Sequence, residues 1–140
     1  MTKSKKVFLA SSAFFALIDR NHPKHSNASA YFRYFVQEKY YLYTGYVNLA
    51  EAYRLIFANL GPSLAREFLR ALSSGSINIL YPTESDMKAA IKTIVTSQSP
   101  DLTFKDAQMA VLSYRNNISY LLSFDYVPPL FGLTTFSLPF

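Results

Sequence analysis

The chain has 140 residues, half of them hydrophobic, with 12 phenylalanines, 11 tyrosines and a formal charge of +5. That length and apolar content suit one domain over residues 1–140 with a sizeable core and exclude a disordered tail, while the lack of cysteine excludes disulfides and thiolate metal sites. No apolar stretch approaches the roughly 20 residues of a membrane helix, and the moderate basic excess, with Lys3, Lys5 and Lys6 near the start, favours an anionic partner without naming one.

The first element is read from KVFLASSAFFALID, residues 6 to 19. Val7, Phe8 and Leu9 form an unbroken apolar run, the pattern of a strand covered on both faces. Ala10-Ser11-Ser12 turns the chain, and Ala13 to Ile18 supply a packed helix. Lysines ahead of an apolar run resemble a secretion signal. Asp19 and Arg20 follow at once, however, with no small-residue cleavage site, so a cytoplasmic protein is expected.

After Pro23, placed as a first-turn residue, Ala28, Phe32, Phe35 and Val36 recur at helical spacing. Tyr40 to Thr44 reads as a second strand. Leu49, Ala52, Tyr53, Ile56 and Leu60 form a helical stripe stopped by Gly61-Pro62. Ala65, Phe68, Leu69 and Leu72 form another, and Ile77 to Leu80 is a strand. Thr83 with Asp86, and again Thr103 with Asp106, make the spacing of a capping box ahead of a helix. Asn116-Asn117 turns the chain into a strand from Ile118 to Phe124 that ends at Asp125. A short edge strand is expected near Thr134 to Ser137. Strands alternating with helices imply an α/β fold, a central parallel sheet of four to five strands with helices on both faces.

Only nine acidic residues are present, so their placement carries information. In open α/β sheets the carboxyl ends of the strands are the functional edge. Asp125 follows a strand there, Asp106 opens the helix leading into that strand, and Glu51 lies early in a largely apolar helix. Each has an ordinary explanation: Asp106 as a helix cap, Asp125 as a turn residue, Glu51 as a solvent-facing charge. At the tip of the first strand, where chemistry is most expected, stands Ala10.

The ordered set of motifs resembles the PIN-domain ribonucleases, specifically the VapC toxin family. The resemblance runs through KVFLASSAFFALID, VNLAEAYRLI, LTFKDAQMAVLS and LLSFDYVPPLFG, nearly the whole chain. The family places an aspartate at the end of the first strand, a glutamate in the next conserved helix, and two further aspartates. Glu51, Asp106 and Asp125 match the last three positions, and Ala10 stands at the first.

The resemblance implies metal-dependent cleavage of RNA phosphodiesters with Mg²⁺ or Mn²⁺ on these acids. Such a metal neutralises the scissile phosphate and lowers the pKa of the attacking water, and hard cations of this kind take oxygen ligands. Asp106 and Asp125 would be ligands and Glu51 would share one or position a bound water. Ala10 removes one charge and one oxygen, so metal binding and turnover should both suffer. Three intact acids around one lost position favour a recent or deliberate replacement over long drift. The resemblance also implies a homodimer and a small VapB-like antitoxin.

Supporting candidates have bland alternatives. Ser12 and Ser123 lie near the acids and could hold metal-bound waters or simply end strands and cap helices. Arg54, one turn after Glu51, could meet RNA phosphate or pair with Glu51. His22 and His25 read as solvated loop residues. The run Tyr40, Tyr41, Tyr43 and Tyr46 could stack on bases but reads better as core and oligomer surface. Two other functions fit the pattern: a non-catalytic PIN module that binds RNA or a protein, and an RNA-processing PIN nuclease without an antitoxin.

Overall fold

A computed structural model describes residues 5–138; Lys3, counted above with the basic start, lies outside them. In chain order the elements are β1 (Lys6–Leu9), α1 (Ser11–Ile18), α2 (His25–Gln37), β2 (Tyr41–Gly45), α3 (Tyr46–Leu60), α4 (Pro62–Ser73), β3 (Asn78–Leu80), α5 (Glu84–Thr96), α6 (Phe104–Arg115), β4 (Tyr120–Leu122) and β5 (Thr134–Thr135). The strands form one five-stranded sheet in the order β3-β2-β1-β4-β5. Every pairing is parallel, with Val7 opposite Leu42 on one side and Tyr120 on the other.

The unbroken apolar run of β1 has its physical cause in this arrangement. Val7, Phe8 and Leu9 are fully buried, and successive side chains of a strand point to opposite faces. Val7 and Leu9, with Leu122 of β4, pack on Ala13 and Phe14 of α1, Tyr31 and Phe35 of α2, Ala52 and Ile56 of α3, and Phe68 and Leu72 of α4. Phe8 and Leu121 face the other way, onto Met109 and Leu112 of α6. Helix α5 lies against α6 through Ala90, Ala107 and Val111. Both faces of the central strands are therefore covered, as the sequence pattern requires.

Helix boundaries follow local chemistry. Gly61 adopts φ +98°, a conformation side chains disfavour, and Pro62 opens α4 directly after it. Both expected capping boxes form, with the threonine hydroxyl accepting from the aspartate N–H at 3.1 Å in each.

Three expectations need correction. Pro23 lies ahead of α2 rather than in its first turn, because the chain turns again through Lys24 before the helix begins at His25. There the His22 ring nitrogen accepts from the Lys24 N–H, and the His25 ring bonds the Ala16 carbonyl at 3.0 Å. These histidines are half-buried fasteners of the α1–α2 turn instead of solvated loop residues. The strand expected from Ile118 to Phe124 is limited to Tyr120–Leu122, since the Ile118 N–H turns back to the Ser113 carbonyl and Ser123 forms a turn with Asp125.

Candidate active site

The cleft sits where β1 and β4 end. Ala10 is the N-cap of α1 with extended backbone, φ −78° and ψ 165°, and no side-chain cap. Its N–H donates to the Leu122 carbonyl at 3.0 Å and its own carbonyl accepts from Ala13. Position 10 is thus held between the two central strands and the first turn of a helix. A cavity of about 200 Å³ opens beside it, lined by Ala10, Ser11, Ser12, Asp101, Thr103, Lys105, Asp106, Met109, Ser123, Asp125, Tyr126 and Val127.

Asp106 and Asp125 both line this cleft with Ala10, and their local roles differ. Asp106 is buried, and its Oδ2 accepts from the Thr103 N–H at 3.4 Å, closing the capping box that starts α6. The ordinary explanation for this residue is therefore true of one of its oxygens. Asp125 is exposed. Its loop is stitched to α1 by hydroxyls: Ser12 Oγ accepts from the Phe124 N–H at 2.9 Å and lies 3.2 Å from Ser123 Oγ, which accepts from the Asp125 N–H at 3.1 Å. Ser12 and Ser123 thus hold the two loops of the cleft at a fixed spacing.

Glu51 reaches the cleft indirectly. Its Oε1 accepts from Ser11 Oγ at 2.5 Å and from Lys105 Nζ at 2.8 Å. Burial alone would raise its carboxyl pKa; the hydrogen bonds from Lys105 and Ser11, with the charges of Lys105 and Arg54, outweigh that and hold it below the ordinary glutamate value. Arg54 is exposed and acts on Glu51 only through space. The salt bridge expected one turn along α3 is made instead by a lysine from α6, 54 residues further along the chain.

Lys105 was not among the candidates, although a signal for it exists. It is the second residue of α6, and a cation in the first turn of a helix opposes the helix dipole. Such a misplacement asks for a carboxylate from elsewhere, and Glu51 supplies it. Asp101, on the loop leading into α6, also lines the cleft and was likewise not singled out, and Thr103, expected only as a helix cap, lines it too.

Among the described residues no three His, Cys, Asp or Glu side chains come close enough together to hold a metal ion. Position 10 contributes no oxygen, one Asp106 oxygen is engaged in the cap, and the Glu51 oxygen that faces Ser11 is paired with an ammonium. The residues present do not make a Mg²⁺ or Mn²⁺ site.

Of the tyrosine run, Tyr40 packs among Tyr34, Phe35 and Phe136, and burial followed by the neighbouring tyrosines raises its pKa. Tyr41 is exposed, and Lys6 Nζ lies 5.9 Å from the Tyr43 ring centre. Tyr46 is exposed too, with its ring 6.0 Å from that of Tyr81. Among the described residues no helix is long and apolar enough to cross a membrane.

The sequence matches no family model and no curated protein. Its structure is similar to the crystal structure of VapC20 from Mycobacterium tuberculosis, described as a toxin that cleaves the sarcin–ricin loop. The two share 20% sequence identity at a TM-score of 0.76, over 85% of this chain and 89% of that one. At that identity the likeness speaks to architecture alone, and it agrees with the parallel α/β sheet described above. The chain has a VapC-like PIN fold.

Proposed function

We propose that the chain is an RNA-directed protein of the toxin type, built as an endoribonuclease and stopped short of cleavage at Ala10. One observation supports this reading most. A buried alanine stands at the carboxyl end of the central strand, at the N-cap of α1, lining one cleft with Asp106 and Asp125. An aspartate fits that backbone well, because extended N-cap residues favour short polar side chains. The structural likeness to an RNA-cleaving toxin adds to it. Sites of this type use Mg²⁺ or Mn²⁺ on clustered acids. Here that set is incomplete, and no metal-assisted step is assigned to this chain.

The same reading carries partners. A cytoplasmic homodimer, paired with a small VapB-like antitoxin as a type II toxin–antitoxin module, is the arrangement we propose. An apolar groove of about 390 Å³ supports a protein partner; Phe14, Leu17, Ile18, Phe32, Val36 and Phe68 are among the residues that line it. A non-catalytic binding module is the second reading. It is favoured by the pairing of Glu51 with Lys105, which leaves this carboxylate compensated without a metal.

The test is RNA binding by the present chain. Fluorescence anisotropy with a labelled pool of tRNA and rRNA fragments should show saturable binding, equal in Mg²⁺ and in chelator, with the RNA left intact. Phosphate contacts make such binding weaken steeply with salt. No binding at low salt would remove RNA from the account.

A further inference from the structure

The functional reading leaves Lys105 unexplained. A lysine in the first turn of α6 opposes the helix dipole, yet its side chain is only 27% exposed and its ammonium is fixed at 2.8 Å from Glu51 Oε1. Ser11, the residue directly after Ala10, donates to that same oxygen at 2.5 Å. Ser11 and Lys105 both line the cleft with Ala10. A positive charge of the chain itself therefore lines the same cleft as Ala10.

We infer that Lys105 is the built-in cation of this cleft, holding Glu51 in competition with a divalent ion. The inference rests on the reading of Ala10 as the place of a lost carboxylate. Its physical basis is simple. An ammonium and a hydroxyl on the same Glu51 oxygen compete with a metal for that oxygen and hold the carboxylate in place, and charge-assisted hydrogen bonds are the strong ones. An ammonium tethered by its own chain also competes at high effective concentration. Lys105 therefore compensates the Glu51 charge without metal, and restoring an acid at position 10 restores only part of the metal affinity.

Mn²⁺ binding, read by electron paramagnetic resonance in the absence of RNA, tests this. Three full-length variants are compared: Ala10→Asp, Ala10→Asp with Lys105→Met, and Ala10→Asp with Lys105→Arg. The methionine variant should bind Mn²⁺ about tenfold more tightly than Ala10→Asp alone, the loss of one charge-assisted contact to be broken. The arginine variant should bind no more tightly than Ala10→Asp. Equal affinities of the first two, or an arginine variant as tight as the methionine one, would overturn the inference while leaving the functional reading standing. A second measurement needs no change at Lys105. In Ala10→Asp, acetylation of the Lys105 amine, followed by mass spectrometry, should rise at saturating Mn²⁺, and unchanged labelling contradicts the inference. Absence of Mn²⁺ binding in all three variants overturns both the inference and the metal part of the functional reading.

Discussion

Ser11 Oγ donates to Glu51 Oε1 across 2.5 Å, tying the start of α1 to α3 directly beside the alanine at position 10. This bond makes the glutamate part of the cleft although it does not itself line it. Ser11→Ala removes a donor from a partly buried carboxylate that keeps Lys105. A loss of about 1–2 kcal/mol of stability is expected, measured as a lower urea midpoint at unchanged slope.

Acid should weaken the fold through the same group. The folded-state pKa of Glu51 is lowered from 4.5, so the unfolded chain binds the proton more readily. The stability Glu51 contributes is complete above the unfolded value and is lost as pH falls through the folded one. Urea midpoints compared between wild type and Glu51→Gln at roughly pH 7 and at roughly pH 3 should differ at neutral pH and converge in acid. A gap that widens on acidification contradicts the ion-pair assignment.

The two capping boxes offer an internal comparison. Thr83→Ala and Thr103→Ala should each cost about 1 kcal/mol, because each removes the acceptor for one helix N–H. The aspartates should not be equal. Asp86 also pairs with Arg115 at 2.7 Å, and although burial raises its carboxyl pKa, Thr83 and Arg115 together hold it low. Asp86→Ala should therefore destabilise more than Asp106→Ala in thermal unfolding. The reverse order would show that Asp106 does more for folding than cap α6.

Gly45 ends β2 and caps α3, the helix that carries Glu51. A Cβ placed there meets Asn48 Oδ1 at 3.0 Å and the side chains of Leu112 and Phe8 at 3.2 Å. The two apolar contacts belong to the core layer between the sheet and α6. Gly45→Ala should cost about 1–3 kcal/mol and shift α3 relative to the cleft, visible as a lower melting temperature.

Position 10 itself makes a prediction free of metal. Ala10 caps α1 without a side-chain bond. Ala10→Asn supplies the missing acceptor without adding charge, and should stabilise by about 1 kcal/mol. Ala10→Asp should stabilise less, since its carboxylate enters a cleft already lined by Asp101, Asp106 and Asp125. Melting curves of the two variants at low salt should show this order.

Much of the fold was legible because its causes are local. The run Val7-Phe8-Leu9 announces a strand buried on both faces, Gly61-Pro62 punctuates two helices, and the Thr-x-x-Asp spacings write both caps. Phe8 and Leu9, neighbours in sequence, do end in different clusters. Asp125 at the functional edge was legible through the rule that the carboxyl ends of strands share it, and its convergence with Ala10 and Asp106 through the family resemblance; the three do line one cleft. What failed was non-local pairing. Helix spacing offers Arg54 to Glu51, whereas the true partner comes from α6, and no periodicity links residues 54 apart. The shortened β4 shows the same limit: apolar content continues to Phe124, but the hydroxyls of Ser12 and Ser123 take the backbone out of the sheet first.

Under the proposed function this fold is a ribonuclease that stops at one side chain. The most direct measurement restores that side chain. Ala10→Asp and the present chain are incubated with a mixed pool of tRNA and rRNA in Mg²⁺, in Mn²⁺ and in chelator, and the products are resolved on a denaturing gel. The account predicts discrete fragments from Ala10→Asp in either metal, none in chelator, and none from the present chain in any condition. Intact RNA from Ala10→Asp in both metals, with the variant folded and Mn²⁺ bound, would contradict it and leave a binding module in its place.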